Sequence, residues 1–270
     1  MMKTAIVEGK FSPFTKTDRK VLREYLSQGY EAVYVRLLED EVSIFDRMQI
    51  IQKTIKKDPI FLLVEKKEEE RILDARLDQG ITKKDLSELS KAAAQYSIEH
   101  CLYIKDVARR TLSEKRFYHV CCVADLASAL AVHYDIPYYK GYAAGLLHDI
   151  TKEWSKPKQR RYMEKYYPEK VENHPKTYHQ HTAQKFVQLK YQVEDEEILD
   201  AIGNHVNGTD EKLLSRIVFC SDKIDDSRGF DNSEFKKMCF EDIDKAYEVI
   251  RDQQFKYLRK VLQEEKKKNG

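Results

Sequence analysis

The apolar pattern changes its period part-way along the chain, and that change limits what the chain can fold into. Up to residue 64, short β-branched runs alternate with helical ones: Thr4-Ala5-Ile6-Val7, a helix over Asp18 to Leu26, Ala32-Val33-Tyr34-Val35, a helix over Ser43 to Ile55, then Ile60 to Val64. Strands separated by helical crossovers predict βαβ units and a small parallel sheet. The charged stretch Glu65 to Arg71 ends this pattern, and Asp74 to Tyr103 reads as weakly amphipathic helix. From Ser113 onward nearly every segment has 3.6-residue periodicity, broken at Pro137, Pro157, Pro168, Pro175 and Asn207-Gly208, which predicts a helical bundle. At 270 residues the chain is long enough for two cores. The expected organisation is an α/β N-terminal domain over 1–110 and an all-α domain over 111–270.

Composition excludes several classes of function. The longest apolar runs, Phe61 to Val64 and Ala143 to Leu147, are far too short to span a bilayer, so no membrane association is expected. The first residues lack the long apolar segment of a secretory signal, which predicts a cytoplasmic chain. Five cysteines, odd in number and without a CxxC pair, read as reduced and mostly buried thiols: Cys101, Cys121, Cys122, Cys220 and Cys239. With 48 basic and 46 acidic side chains, nothing in the charge favours a nucleic-acid partner.

The histidines carry most of the chemical information. On the helix expected over Ser113 to Tyr134, His119 shares a face with Val123, Leu126 and Leu130, so its imidazole points into the core. The next helix, expected over Tyr138 to Lys152, brings His148-Asp149 after the small, apolar Ala143-Ala144-Gly145-Leu146-Leu147, which lets a neighbouring backbone approach. His205 lies on the face of Ile198 and Ile202, and Asp222 on that of Leu214 and Val218. One more histidine is expected from Tyr178-His179-Gln180-His181. A single buried histidine is ordinarily a satisfied core residue, but a buried carboxylate needs a partner. Inward histidines and aspartates from several helices are a recurrent way to build a two-metal site.

The order H…HD…H…H…D resembles that of the HD-domain metal-dependent phosphohydrolases. Three strings, Gly145 to Glu153 (GLLHDITKE), Ala201 to Gly208 (AIGNHVNG) and Ser221 to Arg228 (SDKIDDSR), resemble the YqeK-type symmetrical diadenosine-tetraphosphate hydrolases in order and spacing. The likeness covers about residues 113–250. It implies His119, His148, Asp149, His205 and Asp222 as ligands of two metal ions, with iron the usual occupant and manganese an alternative. The family's His-x-x-x-Gly/Ala pattern adds His179, with His181 and His174 open. The implied reaction is hydrolysis of a small-molecule nucleotide, diadenosine tetraphosphate, to two ADP. Two cations about 3.5–4 Å apart acidify a water and clamp phosphoryl oxygens, with Asp149 spanning both ions. Lys152, three residues after Asp149 and four after His148, is expected on their helical face as a second catalytic group that neutralises phosphate charge. Lys223 and Arg228 are further candidate phosphate-binding residues. Two other readings stay open: a phosphohydrolase for another nucleotide or phosphoester, and a non-catalytic nucleotide-binding regulator. A homodimer is compatible with the chain.

Gly9-Lys10-Phe11-Ser12-Pro13-Phe14-Thr15-Lys16-Thr17-Asp18 follows a strand and precedes a helix. It resembles the GxFxPxHxGH string of nicotinate-nucleotide adenylyltransferases, where backbone amides and a helix N-terminus cradle a triphosphate. Gly9, Phe11 and Pro13 stand, but the catalytic positions read Thr15, Thr17 and Asp18. The resemblance implies a small Rossmann-like domain that has lost its transferase activity, with Asp18 expected to repel a triphosphate.

Overall fold

A computed structural model describes residues 4–63 and 86–268. The chain divides into two compact units, Met1–Val107 and Ala108–Gly270. The first is built on β1 (Thr4–Gly9), α1 (Lys16–Ser27), β2 (Ala32–Leu37), α2 (Ile44–Ile55) and β3 (Ile60–Leu63). The strands form a parallel sheet in the order β1-β2-β3, with Ile6 opposite Tyr34 and Val35 opposite Leu62. Ala5, Val7, Val33 and Val35 pack with Phe14, Leu22, Ile50 and Ile51 in the core of this unit, as the β-branched runs and the apolar faces of the two helices require.

The continuous helical pattern expected to Tyr103 does not form. Residues 74–85, like the charged stretch Glu65 to Arg71, lie outside the described residues. Beyond them a 3-10 turn at Leu86–Glu88 precedes α3 (Lys91–Glu99), whose N-terminus is capped by Ser90. The helix stops because Cys101 turns left-handed (φ 56°) and the Leu102 amide closes back on the Ser97 carbonyl at 2.7 Å.

After α4 (Ile104–Thr111), the second unit comprises α5 (Glu114–His133), α6 (Tyr138–Leu147), α7 (Lys156–Tyr166), α8 (Tyr178–Lys190), α9 (Glu196–Asn204), α10 (Leu213–Ile224), α11 (Ser233–Glu241) and α12 (Ile243–Lys268). Helices α6 and α10 each pack on both α5 and α9, and α8 lies on α9. The small residues of α6 matter for that packing. A Cβ built on Gly141 would lie 2.5 Å from the Ala127 carbonyl oxygen, and one on Gly145 would lie 2.4 Å from Ala124 Cα. Backbone therefore meets backbone between α5 and α6, as the glycine-alanine run anticipates.

Helix α6 ends at Leu147, not at Lys152. The chain tightens there into successive turns, with the Ile150 amide on Leu147 O (3.2 Å) and the Lys152 amide on Asp149 O (2.9 Å). Thr151 is drawn inward to the Thr182 hydroxyl at 2.7 Å, which holds the turn against α8. In such i to i+3 turns the side chains of Asp149 and Lys152 still lie on one side, for a different reason from the helical one. None of the five cysteines is in a disulfide, and only Cys220 and Cys239 are buried; Cys101, Cys121 and Cys122 are half-buried, so the thiols are less buried than expected. Among the described residues no helix is long and apolar enough to cross a membrane.

Candidate metal centre

Five segments of the second unit converge on Asp149. His119 comes from the second turn of α5, His148 and Asp149 from the turn after α6, His179 from the first turn of α8, His205 from the end of α9, and Asp222 from the last turn of α10. All six are buried. The two carboxylate oxygens of Asp149 face different partners. Oδ2 lies 3.8 Å from His148 Nε2 and 3.9 Å from His119 Nε2, while Asp222 Oδ1 lies 3.6 and 3.2 Å from the same two nitrogens. Oδ1 instead lies 3.3 Å from His179 Nε2 and 3.4 Å from His205 Nε2.

The tautomers follow from the outer ring nitrogens. His148 Nδ1 donates to Gly145 O and His205 Nδ1 to Ile202 O, both at 2.7 Å, which leaves each Nε2 lone pair aimed inward. His119 Nδ1 is held by Ser227 Oγ at 3.0 Å and Asp225 Oδ2 at 3.3 Å. Four inward atoms, His119 Nε2, His148 Nε2, His205 Nε2 and Asp149 Oδ1, are buried without a hydrogen-bond partner. Unpaired buried polar atoms are costly, and here they point at one another. Three overlapping groups from this set can hold a metal ion: His119, His148 and Asp149; His148, His205 and Asp222; Asp149, His179 and His205. The donor set is imidazole and carboxylate, which suits first-row transition metals. The residues present therefore fit a metal centre.

Residues 116–227 match the family model of the HD domain. The second unit carries an HD domain. Over 142 residues, 51% of this chain and 76% of the relative, the chain is 28% identical to a Bacillus subtilis (strain 168) protein named "Bis(5'-nucleosyl)-tetraphosphatase, symmetrical". A Mycoplasma genitalium protein named "Probable nicotinate-nucleotide adenylyltransferase/Ap4A hydrolase" is 24% identical over 183 residues, 64% of this chain, and the chain spans about half (51%) of that relative's length. A Clostridium acetobutylicum crystal structure, described as a predicted HD superfamily hydrolase involved in NAD metabolism, superposes with a TM-score of 0.54 at 29% identity, covering 58% of this chain and 86% of that one.

Within the HD domain the sequence left His179, His181 and His174 as alternatives, and the fold separates them. His179 joins the cluster. His181 is buried against Tyr167, with ring centroids 5.3 Å apart, and burial lowers it to about 4. His174 is exposed and its Nδ1 caps a short turn by accepting from the Lys176 amide.

Asp149, His179 and Asp222 of the cluster line a cavity of about 510 Å³ whose walls also include Arg116, Lys152, Lys176, Lys223 and Arg228. Lys152 Nζ lies 2.8 Å from His179 Nε2, and burial lowers its pKa. Lys223 donates to Asp222 Oδ2 at 2.6 Å and Arg228 to Asp222 Oδ1 at 2.7 Å, so both reach the centre through a carboxylate. Burial alone would raise the Asp149 carboxyl, but the neighbouring histidines and Lys152 outweigh it and hold it well below the usual range. Asp222 is held down in the same way by Lys223, His119 and His148 against its burial. Burial would lower His119, yet the Asp222 and Asp225 carboxylates outweigh it and lift it to about 9.

Sequence reasoning missed Arg116 and Asp225. Arg116 Nη1 donates to Asp149 Oδ2 at 2.8 Å. It stands three residues before His119 on the same helix, a spacing that already put it on the face of that histidine. Asp225, three residues after Asp222, was visible as a second carboxylate in the same string.

Proposed function

We propose that the HD domain hydrolyses dinucleoside tetraphosphates symmetrically, diadenosine tetraphosphate to two ADP, with two transition-metal ions, iron foremost. The observation that carries this reading is the split of Asp149, one oxygen toward His119 and His148 and the other toward His179 and His205. His119, His148, Asp222 and Asp149 would hold one ion, and His179, His205 and Asp149 the other. Bound there, such ions supply an acidified water at neutral pH and neutralise phosphoryl charge.

The chain's own residues complete the site. Arg116 and Lys152 present cations on the side of the cleft where Asp149 lies, and Lys176, Lys223 and Arg228 add three more charges for a tetra-anionic chain. Gly145 O and Ile202 O fix the ring planes of His148 and His205, so the donors are preorganised. The names of the Bacillus and Mycoplasma relatives support this substrate class over other phosphoesters.

For the first unit we propose a degenerate nucleotidyltransferase-like domain without transfer activity. Thr15 caps α1, accepting from the Asp18 amide, while its own amide and hydroxyl donate to Asp18 Oδ2 at 2.7 Å each. The expectation that Asp18 faces a phosphate is corrected by this pairing: the carboxylate is buried and serves as the far end of a capping box. Thr15 has no spare donor either.

The test is product analysis. With iron or manganese, the whole chain should convert diadenosine tetraphosphate to ADP alone, resolved by chromatography. AMP plus ATP would reject the symmetrical reading, and no product with either metal would reject the enzyme.

A further inference from the structure

We infer that an aromatic annex beside the metal cleft binds one nucleoside end of the substrate, while the phosphate chain crosses a cationic ridge to reach the metal centre. This rests on the hydrolase reading above and names where its specificity comes from.

A second cavity of about 380 Å³ is lined by Ile224, Phe230, Phe235, Ile250 and Gln253, and shares Lys223, Arg228 and Gln254 with the metal cleft. The shared wall is thus two cations and a carboxamide. On one side lie the carboxylates and histidines of the centre; on the other lie two phenyl rings and two aliphatic side chains. A ligand that fills both cavities must be anionic in the middle and flat and apolar at the end, with polar edges for the glutamine carboxamides. A purine nucleoside joined to a polyphosphate has that profile, and a simple phosphoester does not.

The loop that carries Phe230 is built from the surroundings of the metal centre. Asp225, which faces His119 Nδ1 at 3.3 Å, accepts from the Ser227 amide at 2.9 Å and from Arg228 Nε at 2.9 Å. Gly229 then takes a left-handed conformation (φ 74°) that side chains resist, and reverses the chain so that Phe230 emerges 53% exposed. Asn232 closes the loop by donating to the Asp225 and Ile224 carbonyls. An exposed phenyl ring on a loop fixed at both ends is poorly explained by folding, because it buries little. It is well placed as a preformed stacking face.

Phe230→Ala and Phe230→Leu in the whole, metal-loaded chain test the inference, since an exposed ring can be removed without loss of the fold. For diadenosine tetraphosphate, KM should rise about tenfold in the alanine variant, with kcat and metal content within twofold of the parent. The leucine variant, apolar but unable to stack, should show most of that rise. Inorganic tripolyphosphate, which has no base, should inhibit parent and variants with equal Ki. An unchanged KM in a parent that does cleave the dinucleotide would overturn the annex alone. An equal weakening of tripolyphosphate, or a loss of metal, would overturn it too, by showing a structural role for the ring. A parent that cleaves no dinucleoside tetraphosphate removes the hydrolase reading, and the annex falls with it.

Discussion

The two units treat their polar residues in opposite ways. In the first, they pair with one another: Thr15 and Asp18 close a capping box, and buried Arg47 donates to the Lys10 and Leu38 carbonyls at 2.7 Å each. The unpaired buried atoms that remain there, such as Arg47 Nε and Gln95 Oε1, belong to none of the groups able to hold a metal ion among the described residues. In the HD domain, three imidazole nitrogens and a carboxylate oxygen are unpaired and converge. A chain tolerates concentrated local cost where a ligand offsets it, and elsewhere its buried polar groups pair internally. Convergence of unsatisfied groups, more than the presence of polar residues, sets the candidate metal centre apart from the first unit.

The strongest way to break this contrast is Asp149→Ala, which removes the residue whose two carboxylate oxygens face the two halves of the cluster. Metal content by elemental analysis should fall from two ions toward none, and turnover should drop by roughly a thousandfold or more. Full activity in that variant would place the chemistry elsewhere.

A smaller effect concerns protons. His119 is lifted to about 9 between Asp222 and Asp225, so at neutral pH it carries a proton on the nitrogen a metal would take. Protonation competes with ligation, hence affinity for the first metal should rise as pH increases, by up to about tenfold per unit until pH 9. Competition with a chromophoric chelator between pH 6.5 and 8.5 reads this directly. A flat profile would show that His119 is not a ligand.

The smallest effect sharpens the other side. Asp18→Ala should destabilise the first unit by about 1 kcal/mol, the usual cost of a lost cap, and leave hydrolysis untouched. Incubated with nicotinate mononucleotide, ATP and magnesium, the parent chain should form no dinucleotide. Product formation would mean that the first unit still transfers.

Much of this was legible from residue order. Alternating β-branched runs located β1 to β3 because a strand buried on both faces leaves an apolar signature, and the histidine faces located five of the six converging residues. Two things were not. The end of α6 was hidden because Ile150 continues the apolar pattern past Leu147, while the turn is decided by Thr151 reaching Thr182 on another helix. The fate of Asp18 was readable but unread: Thr-x-x-Asp ahead of an apolar helix is a capping box as well as an altered motif, and the shorter-range interaction won.

Gly145 has a consequence for which errors this chain can survive. Its α-carbon rests against α5 so closely that even a methyl group would force α5 and α6 apart. Helix α5 carries His119 and the turn that ends α6 carries His148, and the Gly145 carbonyl also sets the tilt of the His148 ring. A substitution at this residue would leave all six converging residues in the sequence but move His119 away from His148 and Asp149. In a metal-binding assay of the proposed centre such a change would read as a missing donor, although the fault lies in the spacing of two helices.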